Sequence, residues 1–256
     1  MVSRDARCAR CRENLEAVRD RIAGACRRAG RDPLSVRLVG VTKTVDVSAT
    51  QMLFDAGCID LAESRPQSLW KKAELLATAG TLPQWHLIGH LQRNKVQRTT
   101  GLLSLLHTLD SLRLLEAIDA EGRRSGRVCD VLVEINLTDD PQRTGVLGSA
   151  IEPLVEAAIS LPHVYLRGLM GMASAVSPQD FSHATTNTAG ASDTIQRRQF
   201  ANLREIRDRL VANLPAAVTL PELSMGMSED FEAAILEGST MVRIGSALWE
   251  GLADES

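Results

Sequence analysis

Short apolar runs rich in β-branched residues recur along the chain, and most of them are followed by a stretch with helical spacing. Parallel strands that are buried on both faces are nearly continuous in apolar residues, which is the pattern of these runs. The pattern predicts eight strands, at Val36–Val41, Ile59–Ala62, Trp85–Ile88, Leu105–Leu109, Val131–Leu137, Val164–Met170, Leu220–Ser224 and Met241–Ile244.

Helical spacing between the strands completes the fold prediction. Such segments include Ala49–Phe54, Ile151–Ser160 and Phe231–Leu236. Ser228 is the predicted N-cap of the last of them, and an extra helix at about Cys11–Arg28 precedes the first strand. Eight strand–helix units in 256 residues predict an α/β fold, a single (β/α)8 TIM barrel with an extra N-terminal helix, and one domain over residues 1–256. A doubly wound open sheet is the alternative, but no G-x-G-x-x-G motif follows the first strand.

Composition and charge narrow the class of protein. With 44% hydrophobic and 24% charged residues, the chain has the composition of a globular protein with a full core. A net charge of -3 predicts no nucleic-acid partner. No apolar stretch approaches the roughly 18 residues that span a bilayer, so no membrane association is predicted. The basic N-terminus lacks the apolar segment of a signal peptide, which favours the cytoplasm.

Five cysteines in a chain without a secretion signal are expected to be reduced thiols. Cys8 and Cys11 have the CxxC spacing of a redox pair or half a metal site. A redox pair is expected after a strand, and a zinc site needs a second pair; neither condition is met. They are therefore predicted to be cysteines on the surface of a helix.

Functional side chains of such barrels gather at the C-terminal ends of the strands. Lys43 stands at one of these ends, directly after the first apolar run. A lysine at the mouth of a barrel is expected to be partly desolvated, which lowers its pKa and frees the amine to attack a carbonyl carbon. A lysine that merely extends its ammonium group into solvent is the alternative.

Two loops late in the chain have the composition of phosphate sites. Ser224-Met225-Gly226-Met227-Ser228 carries two hydroxyls and a glycine that permits close backbone approach by an anion. Arg243-Ile244-Gly245-Ser246 repeats this design at the next strand end. They follow strands seven and eight, where barrel phosphate sites usually lie. A lysine nucleophile beside a phosphate site predicts a phosphorylated aldehyde, and pyridoxal 5′-phosphate (PLP) is such a ligand.

Arg243 and His86 are further candidates at strand ends. If the Arg243 guanidinium faces the pyridine nitrogen of PLP, that nitrogen stays unprotonated, because arginine only donates hydrogen bonds, and the cofactor becomes a weaker electron sink. A surface arginine in an ion pair is the alternative, which the apolar residues before Arg243 disfavour. His86 and His90 are four residues apart, but no zincin glutamate lies between them, so no metal site is predicted.

Several motifs together carry a family resemblance. They are Val41-Thr42-Lys43, Trp85-His86-Leu87-Ile88-Gly89, Leu91-Gln92-Arg93-Asn94-Lys95, Val133-Glu134-Ile135-Asn136, Arg167-Gly168-Leu169-Met170, Leu223–Asp230 and Gly238–Gly245. The chain resembles the pyridoxal phosphate homeostasis proteins, whose barrel is similar to the N-terminal domain of alanine racemases. The resemblance implies that Lys43 holds PLP as an internal aldimine and that the Ser224–Ser228 and Gly245-Ser246 loops hold its phosphate. It also implies that Arg243 faces the pyridine nitrogen.

The chain departs from the family pattern in three places. Ala62-Glu63-Ser64 stands where the family usually has Gly-Glu-Asn, so Ser64 takes the place of a cofactor-side asparagine. Arg143 replaces a usual lysine, which keeps the charge and loses a second amine. The segment Ala173–Thr194 is longer and more polar than the family's, and we expect a mobile loop on the face of the active site, either plain surface or a lid.

Three classes of function remain open at this stage. The resemblance implies a PLP carrier or buffer in intracellular PLP homeostasis, without robust catalysis, that serves PLP-dependent apo-enzymes as a monomer or weak homodimer. A PLP-dependent amino-acid racemase is the alternative, but it needs an acid/base group on each face of the cofactor. The only tyrosine, Tyr165, lies early in strand six, and the sequence ends soon after strand eight. A binding module without a cofactor is the third class.

Overall fold

A computed structural model describes residues 3–138, 140, 142–174 and 188–252, with the backbone alone for residues 188–193. Eight parallel strands pair in chain order and β8 pairs with β1, which closes the barrel. The strands are β1 Arg37–Val41, β2 Asp60–Glu63, β3 Gln84–Leu87, β4 Leu103–Leu109, β5 Cys129–Ile135, β6 Val164–Gly171, β7 Glu222–Ser224 and β8 Met241–Ile244. The predicted (β/α)8 barrel is confirmed, and each predicted strand overlaps an observed one.

The helices surround the barrel. They are α1 Arg4–Arg28, α2 Val47–Asp55, α3 Pro66–Thr78, α4 Val96–Thr99, α5 Leu112–Ser125, α6 Ile151–Ser160, α7 Thr188–Asn213 and α8 Phe231–Leu236. The extra N-terminal helix is confirmed, but it begins earlier than predicted because the Ser3 hydroxyl accepts the Ala6 N–H and caps it. Within the described residues, no helix is long and apolar enough to cross a membrane.

Strand alternation divides the buried side chains into two layers. Successive side chains of a strand point to opposite faces, so one set fills the barrel and the other packs under the helices. The interior apolar set consists of Val39, Val41, Ala62, Leu105, Leu132, Met170 and Met241. The larger outer cluster includes residues such as Leu61, Leu106, Val133, Leu223 and Val242. Interior positions near the C-terminal strand ends are therefore the ones that reach the barrel mouth.

The long helix α1 anchors the C-terminal segment of the barrel. Its buried stripe contains Cys11, Leu15, Val18 and Ile22, spaced three or four residues apart. The prediction that Cys11 lies on the surface is wrong, since it belongs to this stripe and burial raises its pKa to about 11. Asn14 Nδ2 donates to the backbone carbonyls of residues 248 and 250, which attaches the chain after β8 to α1.

The polar segment after β6 is only partly described. Residues 175–187 of the predicted Ala173–Thr194 loop lie outside the described residues. The loop prediction is wrong for its last part, because α7 already begins at Thr188. Weak apolar periodicity concealed this helical start in the sequence.

Candidate functional site

A cavity of about 540 Å³ opens at the C-terminal ends of the strands. Its lining comes from the ends of every strand except β4 and from α7. The residues are Val41, Lys43, Thr44, Ser64, Ile88, Glu134, Ile135, Asn136, Leu137, Arg143, Thr144, Met172, Ala173, Ser174, Gln196, Met227, Ser228, Glu229, Asp230, Arg243, Gly245 and Ser246. This position agrees with the general rule for active sites of such barrels.

Lys43 reaches the cavity because of strand alternation and a fixed backbone. Val39 and Val41 point into the barrel, and Lys43 continues the same alternation two residues further. The indole Nε1 of Trp249 donates to the Val41 carbonyl at 2.9 Å. The bond attaches the segment after β8 to the end of β1, so the lysine and the last loop are held together.

A buried ion pair supports Thr42, the neighbour of Lys43. Lys72 Nζ contacts Glu63 Oε1 and donates to the Thr42 carbonyl at 2.6 Å. The Thr42 hydroxyl donates to the same Glu63 oxygen at 2.7 Å. All three residues are buried behind the cavity wall, between β1, β2 and α3. This network holds the backbone from which Lys43 extends.

Lys43 itself is an exposed residue at the mouth of the cavity. The partial desolvation predicted for Lys43 is not observed, because Lys43 lies beyond the last ladder pair of β1, Val41 with Ala62. Among the described residues, no carboxylate forms an ion pair with Lys43. Its amine is therefore accessible to a ligand in the cavity.

The loop after β7 turns sharply at Gly226. Its φ is +94°, and a Cβ there would lie 2.8 Å from the Cα of Phe231. Gly226 thus allows α8 to approach the loop, and it does not line the cavity. Asp230 Oδ1 accepts the Met227 N–H at 2.6 Å across this turn. Burial raises the pKa of Asp230, whereas that backbone hydrogen bond lowers it.

Ser228 connects the two predicted phosphate loops. Its Oγ accepts the backbone N–H of Gly245 at 3.1 Å and that of Ala247 at 3.4 Å. The prediction that Ser228 caps α8 is wrong, because Asp230 occupies the N-cap position and the Ser228 side chain turns to the other loop. With both contacts made as an acceptor, the Ser228 hydroxyl proton is available to an anion in the cavity.

Arg243 forms the charged floor of the cavity. Its Nη1 donates to Ser224 Oγ at 2.7 Å and its Nη2 to the Gly171 carbonyl at 3.1 Å. Burial lowers the pKa of Arg243 to about 10, while the carboxylates of Asp230 and Glu134 act in the opposite direction. The guanidinium is thus cationic at neutral pH. It is a buried, doubly anchored arginine and not one in a surface ion pair.

Three predicted site residues lie outside the cavity lining. Ser224, Gly226 and His86 are fully or almost fully buried behind it. His86 sits in the barrel interior between Asp60 and His107 because its strand position points inward one layer below the mouth. Lys43, Ser64, Met227, Ser228, Arg243, Gly245 and Ser246 do line the cavity.

Glu134 lines the cavity but is not among the site residues predicted from the strand ends. It is buried on β5 and accepts the Thr144 hydroxyl at 2.6 Å. Burial raises its pKa, and the Thr144 hydrogen bond acts against this. The sequence signal for this position is that Glu134 stands two residues before Asn136, so both side chains point to the same face, and both line the cavity. Arg143 lies on the same side, with Nη1 at 3.4 Å from the Ala173 carbonyl.

The buried histidine His107 makes stability depend on pH. Burial lowers the pKa of His107 well below its usual value, and the positive charges of Arg243 and Arg37 lower it further. An unfolded histidine takes up a proton near pH 6.5 and the folded one does not, so stability is lost as pH falls below that value.

We therefore expect the free energy of unfolding to fall below pH 6.5 by up to about 1.4 kcal/mol per pH unit for this group. Urea titrations between neutral and mildly acidic pH measure the slope. His107→Phe should reduce the slope, because it removes the buried imidazole. Equal slopes for wild type and His107→Phe would contradict the prediction.

Comparison with known proteins identifies the family. The family model described as "Alanine racemase, N-terminal domain" matches residues 13–252. A pyridoxal phosphate homeostasis protein of Aquifex aeolicus is 37% identical over 238 residues, which is 93% of this chain and 96% of the relative. The chain belongs to the pyridoxal phosphate homeostasis protein family. The resemblance carried by the sequence motifs is therefore confirmed.

Two solved structures share the barrel of this chain to different degrees. PipY of Synechococcus elongatus, solved with PLP bound, superposes with a TM-score of 0.74 at 28% identity, over 93% of this chain and 99% of that one. An alanine racemase of Clostridium difficile superposes with a TM-score of 0.67 at 16% identity. The superposition covers 94% of this chain but only 59% of the racemase, and this likeness shows the fold alone.

Proposed function

We propose that this protein binds PLP covalently through Lys43 and acts as a carrier and buffer of the cofactor in intracellular PLP homeostasis. The observation that supports this most is that Lys43, Ser228, Ser246 and Arg243 line one cavity. When bound, PLP supplies an aldehyde carbon with which a lysine amine condenses with loss of water, and an anionic phosphate. Residues 1–256 would form a single PLP-binding domain.

The donor set of the cavity fits this cofactor. Ser228 can donate its hydroxyl proton to a phosphate oxygen, because its oxygen already accepts the Gly245 N–H, and the adjoining Ser246 brings a second hydroxyl to the same cavity. Ser64 and Met227 line the same cavity as Lys43. Arg243 supplies N–H donors toward the pyridine nitrogen and no proton acceptor. We place Ser224, Gly226 and His86 behind these contacts as supports.

The same arrangement favours a carrier over a racemase. Tyr165 is 52% exposed at the start of β6, opposite the cavity, and the Arg167 guanidinium lies over its ring. Cys58 and His107 are buried away from the lining. An arginine at the pyridine nitrogen also leaves PLP a weak electron sink. The position of Glu134 favours the racemase, because its buried carboxyl group lies in the same cavity as Lys43.

We expect no useful amino-acid turnover. Holo-protein is incubated with single-enantiomer Ala, Ser, Glu or Lys in deuterated water, and the opposite enantiomer and Cα deuterium are both measured. Slow Cα exchange through Lys43 alone, on one face, is compatible with a carrier. Robust formation of the opposite enantiomer that is lost in both Lys43→Ala and Glu134→Gln would establish the racemase.

The phosphate end is tested with Ser228→Ala. We expect PLP affinity to fall by about 1–3 kcal/mol, because a charge-assisted hydrogen bond to the phosphate is removed. Titration of apo-protein measures this, and Ser48→Ala on the exposed face of α2 is the matched control. Pyridoxal without the phosphate should bind wild type much more weakly than PLP. Equal affinity of wild type for the two ligands would exclude this phosphate site.

The cellular role follows from the chemistry of transfer. A Schiff base exchanges with other amines, so PLP held on an exposed Lys43 can pass to the lysine of a PLP-dependent apo-enzyme. We propose such apo-enzymes as partners, with the protein acting as a monomer or weak homodimer in the cytoplasm. The five free cysteines support a reducing compartment.

A further inference from the structure

A continuous chain of hydrogen bonds crosses the interior of the barrel below the cavity. Asp60 Oδ1 lies 3.0 Å from His86 Nε2, and His86 Nδ1 lies 2.8 Å from His107 Nε2. His107 Nδ1 lies 2.9 Å from Ser224 Oγ, which accepts from Arg243 Nη1 at 2.7 Å. The chain thus connects β2, β3, β4, β7 and β8. Its three central members are fully buried.

The two ends of this hydrogen-bond chain determine which atom donates in each of its contacts. Arginine only donates, so the Ser224 oxygen must accept from Arg243 and its proton is left for His107 Nδ1. His107 must then carry its proton on Nε2 and donate to His86 Nδ1. His86 in turn carries its proton on Nε2 and donates to the Asp60 carboxylate, which only accepts. One tautomer of each neutral histidine satisfies every contact.

We infer that His86 and His107 are positioning residues for Arg243, since they hold Ser224 as an acceptor that anchors the guanidinium beneath the bound cofactor. The inference rests on the proposed PLP site and assigns it a support that crosses the barrel. Gly171 anchors the other Nη atom through a backbone carbonyl, so the Ser224 contact is the anchor that side chains can tune. Loss of the hydrogen-bond chain would leave Arg243 Nη1 without its anchor at Ser224 but would not remove the charge of Arg243.

The competing explanation is that His86 and His107 only fill the barrel interior, and it predicts different results. A polar pair that merely fills the interior has no need to couple to the pyridine nitrogen of a ligand in the cavity. If the two histidines position Arg243, their effect on ligand binding depends on the pyridine nitrogen, because Arg243 faces that atom in the proposed site. The two explanations therefore separate when the ring nitrogen of the ligand is removed.

The first test needs no cofactor. Apo-protein labelled with ¹⁵N-histidine is studied by NMR at pH 7 through the two-bond couplings of the imidazole rings. We expect both His86 and His107 to be neutral with the proton on Nε2. An Nδ1-protonated ring or an imidazolium at either position would overturn the inference, whether or not PLP binds.

The second test compares PLP with its 1-deaza analogue, in which a C–H replaces the ring nitrogen. His107→Phe keeps an aromatic ring at this position but removes both ring nitrogens, so we expect roughly tenfold weaker PLP binding and little change for the analogue. His107→Asn, whose amide oxygen can accept from Ser224, should recover most of the affinity. Ser224→Ala combined with His107→Phe should be no weaker than Ser224→Ala alone. Circular dichroism and thermal melting establish that each variant is folded.

Several outcomes would overturn the inference. Wild-type affinity of the folded His107→Phe variant for PLP is one, and an equal loss for PLP and the analogue is another. Should His107→Phe not fold, the His107→Asn comparison and the tautomer measurement decide. Failure of wild type to bind PLP at all would overturn the proposed function, and this result is distinct because the tautomers are measured without the cofactor.

Discussion

Replacing Lys43 with alanine is expected to abolish covalent binding of PLP. Wild-type protein incubated with PLP should be yellow, and borohydride should reduce the Schiff base to a stable secondary amine. Lys43→Ala should show neither the colour nor the trapped adduct, because no other cavity-lining residue within the described part of the chain is a lysine. Absorbance and peptide mapping of the reduced protein measure the two results.

Lys71→Ala is the matched control for this experiment. Lys71 is an exposed lysine on α3, outside the cavity lining, so its loss should leave the colour and the trapping unchanged. A trapped peptide that contains Lys71, Lys72 or Lys95 would contradict the assignment of Lys43. Non-covalent PLP binding can persist in Lys43→Ala through the phosphate loops and is expected to be weaker.

Lys72→Met is expected to cause the largest loss of stability. The methionine approximates the volume of the lysine stem, but it leaves Glu63 as a buried carboxylate without its cation. Removing one partner of a buried ion pair costs about 3–5 kcal/mol. The Thr42 carbonyl retains the Val45 N–H as a donor, so the loss arises mainly at Glu63. Equilibrium denaturation in urea measures the free energy of unfolding.

Two further variants test whether the loss of stability comes from the unpaired charge of Glu63. Lys71→Met changes the adjacent exposed lysine on α3 and should alter stability by no more than about 0.5 kcal/mol. Combining Lys72→Met with Glu63→Leu removes both charges, and it should recover much of the lost stability because no unpaired charge remains buried. If Lys72→Met were as stable as Lys71→Met, the pair would not be the support of Thr42 that we describe.

The fold was largely predictable because its signals are local. Strand β8 and helices α6 and α8 have the bounds that the apolar pattern predicts. The errors fall where a side chain has a distant partner. Ser228 has the composition of an N-cap, yet its hydroxyl binds the loop after β8. Cys11 was assigned to the surface because the helix pattern alone does not reveal which structure covers it.

The candidate site was predictable in part. Lys43 and Arg243 stand at strand ends, and the general architecture of such barrels brings these ends to one face. Glu134 was missed because a strand carboxylate is informative only once its inward orientation is known. Ser224 was assigned a direct ligand contact, whereas the structure places it one layer deeper, between His107 and Arg243.

The sequence by itself determined the closed α/β barrel, the membership in the family and part of the cavity lining, including Lys43 and Arg243, because periodicity, strand count and motif spacing are properties of short segments. Only the tertiary structure decided which side chains meet across the barrel. The ion pair of Lys72 with Glu63 and the hydrogen-bond chain from Asp60 to Arg243 join residues far apart in the sequence. Their contacts depend on the register of separate strands, and no local pattern specifies that register.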